Sequence, residues 1–438
     1  MNANRFFSIS CRSIVLFFLV AARSPCADPC LPPLTNAIKK LGGKISIYAN
    51  EKKNPPKKEE NPSFTVFFVN SYLTDLDLLN LVPDLAQIKN FKKLDLRGTK
   101  VEGLYLNEFA CFPDLKEIDL SSTPIHDAGL RTVASLANVE RLHLNQTHLS
   151  EDGLNYLMKQ AGPRLTALHL SNAAVVDCRM ILLPRKCILK ALATCSKLEE
   201  LSLSGMQLKD KHIPALTAFP ILSKLDLSAN KLTNDGLKKL AELDNLKMLT
   251  DLNVSDNREV TDAGVMEICK FIKLTKLNIS GTGHPEKPGS TVTNLSTRRL
   301  LLNLAELETF RIGNTNTFPA RVLVPAPISA SLISIPFKNL KTLDISSTGV
   351  SDDTLRVVAD MFPYLNELDL SNTCIHDKGL ENLAGLQGPV VGIVISGTKA
   401  TTAGLTLLQT LMASGPVNGK ALQPRSPVRV ESRSSLRP

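Results

Sequence analysis

The 438 residues predict an α/β solenoid of about 12 stacked strand–turn–helix repeats. The expected form is a horseshoe with a parallel sheet on its concave face and short helices on its convex face. The first observation behind this is self-similarity. Leu115-Lys-Glu-Ile118-Asp-Leu120-Ser-Ser-Thr123-Pro-Ile125-His-Asp-Ala-Gly129-Leu130 returns, barely altered, as Leu365-Asn-Glu-Leu368-Asp-Leu370-Ser-Asn-Thr373-Cys-Ile375-His-Asp-Lys-Gly379-Leu380. The second is spacing: units start at Phe91, Leu115, Val139, Leu165, Leu198, Leu222, Leu249, Leu274, Leu307, Leu340, Leu365 and Val390, mostly 24 to 27 residues apart. The third is a change of period inside each unit. Leu225 and Leu227 alternate with polar neighbours, as a half-buried strand requires. Gly236, Leu237 and Leu240 then fall at helical spacing behind the helix-start residues Thr233, Asn234 and Asp235.

A lone unit buries too few aliphatic side chains to offset the ordering of its own backbone. Stacking lets each strand pair with the next and each leucine pack on its counterpart, so stability accumulates through neighbour interfaces. Thr or Asn recurs where the chain leaves the strand, at Thr123, Thr147, Asn230, Asn257, Thr282, Thr348, Thr373 and Thr398. These side chains are expected to satisfy backbone groups of the turn. Ser63 to Leu85 reads as a degenerate first repeat that caps the stack, with Val66 and Phe68 as strand positions and Leu76, Leu79 and Leu81 on a helix.

The pattern L-x-x-L-x-L-x-x-T/N-x-I/L, followed by a helix opening with Gly-Leu, is that of the leucine-rich repeat. The units Ile125-His-Asp-Ala-Gly-Leu130, Leu232-Thr-Asn-Asp-Gly-Leu237 and Val260-Thr-Asp-Ala-Gly-Val265 resemble the T-D-x-G-L repeats of bacterial, planctomycete-type proteins, similar to the ribonuclease-inhibitor-like superfamily. The leader Ala37-Ile-Lys-Lys-Leu-Gly-Gly-Lys44 also resembles the segment that precedes repeats in that family. The resemblance covers about four fifths of the chain and implies the fold and protein binding, while saying almost nothing about activity.

Outside the solenoid, assigned to residues 63–414, three further segments are expected. Residues 1–22 read as a secretory signal, with Arg5 and Arg12 ahead of the apolar run Ile14 to Ala22, which is shorter than the ~20 residues of a membrane span. Residues 23–62 read as a short helix near Leu34 to Leu41 followed by a charged, Pro-containing linker. Residues 415–438 read as a disordered basic tail, in which Lys420, Arg425, Arg429, Arg433 and Arg437 face only Glu431. That tail contributes +4 of the formal net charge of +9, so the folded body is not strongly basic.

The nine cysteines are too sparse for a disulfide scaffold. Disulfides are nonetheless admissible for Cys26 and Cys30, and among Cys178, Cys187 and Cys195, whereas Cys374 should be an exposed thiol. Neither group has a matching second pair or a His at zinc-ligand spacing. No nucleophile elbow, zinc-protease helix, phosphate loop or dinucleotide fingerprint is present. His126-Asp127 and His376-Asp377 look like acid–base pairs but occupy the same turn of two repeats, as copies of a helix-start element. The expectation is therefore no catalytic residue, no cofactor and no metal.

In the expected register the central outward row runs Asp95, Asp119, His143, His169, Ser202, Asp226, Asn253, Asn278, Arg311, Asp344, Asp369 and Val394, followed by a row that is almost entirely serine. It holds no aromatic anchor, its arginines being Arg311 and the nearby Arg97 and Arg141, and its acidic centre argues against nucleic acid. His143 and His169 should stand about 5 Å apart as a cross-strand polar pair. Three overlong repeats carry insertions at Val175 to Cys187, Gly281 to Arg299 and Asn314 to Phe337, the last exposing Phe318, Val322 and Leu323 as an apolar protrusion. Of the Asn-x-Ser/Thr sites, those at Asn253 and Asn278 fall in strands, those at Asn145 and Asn294 nearer turns.

The functional expectation is an exported, non-enzymatic interaction protein, secreted or in the periplasm or cell envelope. It would bind a protein or envelope ligand through Asp95, Asp119, Arg141, His143, His169, Asp226, Arg311, Asp344 and Asp369, or through the protrusion. The alternative is an intracellular recognition subunit, like a ubiquitin-ligase adaptor, or an enzyme inhibitor; no F-box segment is recognisable before Ser63.

Overall fold

The computed structural model describes residues 31–48, 63–176, 185–283, 292, 294–315, 337–388, 392–414 and 429–430. The expected signal segment, Cys26, Cys30, Cys178 and the apolar trio Phe318, Val322 and Leu323 lie outside the described residues, as does the side chain of Cys187. The chain divides into two compact units, Met1–Lys197 and Leu198–Pro438.

In the first unit, α1 (Leu31–Lys40) leads into β1 (Lys44–Tyr48), which pairs antiparallel with β2 (Ser63–Phe67). The expected linker thus contains a strand. Its Ile45 and Ile47 alternate with Ser46, a five-residue signal lost among the surrounding lysines and prolines. Gly43 makes the tight entry, because a Cβ there would run into the Phe68 ring. From β2 the order is α2 (Asp75–Leu85), β3 (Phe91–Asp95), β4 (Glu117–Asp119), α3 (Asp127–Ser135), β5 (Arg141–His143), β6 (His148–Ser150), α4 (Glu151–Ala161), β7 (Ala167–His169), β8 (Ala174–Val176) and α5 (Arg185–Leu192). Strands β2, β3, β4, β5 and β7 pair in parallel, while β6 and β8 form a separate two-stranded sheet. Where a degenerate first repeat is expected, Val66 lies in β2 and Phe68 just past its end, both buried. Helix α2 turns Leu78, Leu81, Val82 and Leu85 inward and leaves Leu76 exposed.

The second unit repeats the scheme. It holds β9 (Glu200–Ser202), β10 (Lys224–Asp226), α6 (Asn234–Glu242), β11 (Asp251–Asn253), α7 (Asp262–Ile268), β12 (Lys276–Asn278), α8 (Asn294–Asn303) and β13 (Thr309–Arg311). It continues with β14 (Thr342–Asp344), α9 (Asp352–Met361), β15 (Glu367–Asp369), α10 (Asp377–Glu381), β16 (Gly392–Val394), α11 (Thr402–Ser414) and β17 (Arg429–Val430). All neighbouring pairs from β9 to β17 are parallel. Strand β17 departs from the expected disorder of the tail: Arg429 and Val430 pair with Gly392 and Ile393.

The parallel strands bury one equivalent side chain each, so that Leu94, Ile118, Leu142 and Leu168 stack in the first unit and Leu225, Leu252, Leu277, Phe310, Leu343 and Leu368 in the second. After most of the parallel strands one residue enters the left-handed region, with φ of +52° to +57° at Ser122, Gln146, Ala229, Asp256, Asn314, Ser347 and Asn372, and with glycine at Gly98, Gly281 and Gly397. The next residue closes the turn. The hydroxyls of Thr99, Thr123, Thr147, Thr282, Thr315, Thr348, Thr373 and Thr398 donate to the carbonyl three residues back, at 2.5 to 2.8 Å. Where the residue is asparagine it also reaches the preceding repeat. The Asn257 amide donates to Val254 O and to Leu227 O, and its oxygen accepts from Leu232 N at 3.1 Å.

A second ladder explains the Asp and Gly of the helix starts. The Asp210 carboxylate accepts from Thr233 N and Thr233 Oγ1 in the next repeat. Asn234 Oδ1 does the same for Thr261 N and Gly264 N, and Asp377 for Thr401 N and Thr401 Oγ1. A Cβ at Gly153, Gly236, Gly264, Gly379 or Gly404 would land on the oxygen arriving from the repeat before.

Two disulfide and thiol expectations resolve differently. Cys195 is a free, buried thiol with its Sγ 3.7 Å from Met158 Sδ, and burial pushes it up to about 11; it fills core and forms no bridge. Cys374 is free and exposed, as expected.

Two measurements check these ladders. Asn257→Thr keeps the turn bond but strands the Leu232 amide, and should cost about 2 kcal/mol in chemical denaturation; an unchanged midpoint would show that the asparagine is dispensable. Gly236→Ala should cost on the order of 2 kcal/mol. Asp210→Ala should absorb most of that penalty in the double variant, so an additive double-mutant cycle would exclude the steric explanation.

Candidate functional site: the charged strand face of the first unit

Parallel strands in register set every outward position beside its equivalent on the next strand, about 4.8 Å away. On the strand face of the first unit two such rows flank the buried leucines. One row is Lys93, Glu117, Arg141 and Ala167; the other is Asp95, Asp119, His143 and His169. The first row alternates in charge, and adjacent members therefore close ion pairs. Lys93 Nζ lies 2.5 Å from Glu117 Oε1, Arg141 Nε 3.2 Å from Glu117 Oε2, and His143 Nε2 3.0 Å from Glu117 Oε1. Burial pushes the Glu117 carboxyl up, but hydrogen bonds from His143 and Lys93 and their charges outweigh it and hold the group down at about 2.

Asp95 is fully buried and gripped by Arg97, whose Nε is 3.0 Å from Oδ1 and whose Nη2 is 2.8 Å from Oδ2. Arg97 Nε also lies 3.3 Å from Asp119 Oδ2. Bonding to Asp95 raises the Arg97 pKa and keeps the guanidinium charged. His143 and His169 stand with ring centroids 4.3 Å apart and planes at 55°. Among the described residues no group of three His, Cys, Asp or Glu side chains converges as a metal would require. An open groove of about 560 Å³ crosses this face, and its lining includes Asn70, Lys93, Arg97, His143, Asn145 and Gln146.

The structure reassigns several sequence-predicted residues. Asp95 and Asp119 are buried rather than displayed. In the second unit Asp226, Asp344 and Asp369 each turn Oδ1 to the backbone N–H of the serine two residues on, at 2.9, 2.9 and 2.8 Å, as Asn253 and Asn278 also do. The acidic row with its trailing serines is thus largely a turn device. Arg141 borders the groove residues from the first row, and Arg311 is exposed on β13 of the second unit. His126 and His376 are the N-caps of α3 and α10, with Asp127 and Asp377 bonded to the following repeat. Asn145, at a possible glycan site, already bonds Ser171 N and Ser121 Oγ. The reading of the central row missed Lys93 and Glu117, one strand position earlier. Aligning the repeats on that earlier column would have exposed the alternation, which recurs at Glu200, Lys224, Asp251 and Lys276.

A family model described as Leucine Rich repeat matches residues 113–134, 220–241, 245–269 and 363–384. The chain carries leucine-rich repeats. Over 223 residues it is 28% identical to the mouse Tonsoku-like protein, covering 45% of this chain and 15% of that one. Over 104 residues it is 36% identical to rat leucine-rich repeat-containing protein 42, covering 22% of this chain and 25% of that one. These repeats therefore span a quarter or less of the curated relatives they match. Among solved structures, the yeast Rad7 and Elc1 complex matches with a TM-score of 0.52 at 17% identity, over 82% of this chain and 84% of that one. An internalin of Listeria monocytogenes matches with a TM-score of 0.44 at 19% identity, over 78% and 84%. The Rad7 likeness is one of fold: an open parallel sheet with helices on its other side, as leucine-rich repeats build.

The Glu117 cluster predicts a pH dependence. Its folded-state value lies below the ordinary carboxylate value, so its contribution is complete above pH ~4.5 and is lost as pH falls through about 2. Glu117→Gln should remove that acid limb and cost on the order of 2 kcal/mol at pH 7. Parallel pH–stability curves for variant and wild type would contradict the assignment.

Proposed function

We propose that this leucine-rich-repeat chain is a non-enzymatic protein-recognition module, and that the strand face of its first unit is the recognition surface. One observation carries the reading: charged side chains on three successive strands are locked by mutual ion pairs around an open groove, so little ordering is left to occur on binding. Leucine-rich repeats are interaction modules by architecture, which supports a protein ligand. No helix among the described residues is long and apolar enough to cross a membrane.

Export to the secretory or envelope space rests on the apolar run Ile14 to Ala22. The alternative, an intracellular recognition subunit or inhibitor, draws on the partial match to Tonsoku-like protein; the likeness to Rad7, solved in complex with Elc1, is compatible with it. A bacterial origin rests on the T-D-x-G-L units and on the leader Ala37 to Lys44.

A photo-crosslinking residue at Gln146, on the groove, should capture one specific protein in the native host, whereas the same residue at the exposed helix position Lys159 should not. Equal capture from both positions would sink the assignment of the strand face. The mature N-terminus and compartment of the captured complex decide between export and the intracellular reading.

A further inference from the structure

The ion pairs that Asp95, Asp119 and Glu117 make with Arg97, Lys93 and Arg141 are neutral by formal count but not in how they are layered. Side-chain exposure is 1% for Asp95, 8% for Asp119 and 19% for Glu117, against 48% for Arg97, 35% for Arg141 and 29% for Lys93. The anions form the floor and the cations form the top. A ligand approaching from solvent meets a guanidinium at Arg97, a second at Arg141 and an ammonium at Lys93, while the imidazole of His143 lies deeper, against Glu117. We propose that this strand face binds a short acidic segment of a partner protein, its carboxylates seated on Arg97 and Lys93 in the groove and on Arg141 beside it. The inference rests on the strand face being the recognition surface and adds the chemistry of what it recognises.

Three features favour carboxylates on a peptide. The cations are pinned from below by Asp95, Asp119 and Glu117, so their heads are oriented before the ligand arrives. Guanidinium groups offer paired donors that match a carboxylate bidentately, and Asp95 uses one edge of Arg97 only, through Nε and Nη2. The patch is also small and bounded: it spans β3 to β5, with the acids directly beneath. A nucleic-acid backbone needs an extended basic stripe, whereas these three cations each sit on an acid and nearly half of the formal +9 belongs to the tail.

The test uses the full chain and a fluorescein-labelled octapeptide of alternating Glu and Gly. Its controls are the Gln–Gly peptide and a ten-nucleotide single strand, all followed by anisotropy. The Glu peptide should bind at least tenfold tighter than the Gln peptide and weaken as salt is raised. Arg141→Gln, which leaves Lys93 and His143 on Glu117, should weaken it at least fivefold with an unchanged thermal melt. Lys159→Glu on α4 should have no effect. Equal binding of the two peptides, insensitivity to Arg141→Gln, or tighter Arg141-dependent binding of the oligonucleotide would overturn the proposal. Crosslinking at Gln146 in spite of such a result would leave the recognition surface standing and remove only the acidic ligand.

Discussion

At most exits from a strand a carbonyl turns toward the core, and a Thr or Asn side chain satisfies it. Thr123 Oγ1 does this for Leu120 O at 2.6 Å, and Asn230 for Leu227 O at 2.9 Å while also bonding Leu203 O in the repeat before. A buried carbonyl without a partner would cost more than the hydrogen bond itself contributes. The closed turn holds the left-handed residue before it, with that residue's own N–H directed to the next repeat. Ser122 N consequently reaches Asn145 O at 2.8 Å, and Gln146 N reaches Ser171 O at the same distance, extending the inter-repeat ladder past the three-residue strands.

The charged face is a consequence of this register. Once equivalent residues stand side by side, a column of side chains behaves as a single object, and alternating signs within it become ion pairs. The same logic operates at the helix starts, where an Asp or Asn from one repeat occupies the space that a Cβ of the next repeat's glycine would need. These carboxylates near His126 and His376 are spent on backbone and hydroxyl donors, so the His-Asp pairs belong to the architecture.

Much of the fold was legible from local pattern. The two-residue and helical periods located the strands and helices, and the Thr and Asn positions announced the turn bonds. Short elements escaped: β1 has five residues amid a polar stretch, and β17 has two within a tail whose composition suggests disorder. The candidate site was legible by column but not by depth. His143 and His169 were placed together correctly, yet Asp95 and Asp119 were read as surface groups, and the partners that bury them lie on other strands or two residues along.

What the amino-acid sequence determined by itself is the repeat, because strand and helix periods are properties of neighbouring residues and each unit restates them. What the tertiary structure alone decided is which member of each charged pair meets solvent. Asp95 and Asp119 have short side chains that stop at the floor of the sheet, whereas Arg97, Arg141 and Lys93 have long stems that lie over them and carry their charge outward. That sorting depends on side-chain length measured against neighbours brought alongside by the register, a distance that exists only after the repeats have stacked.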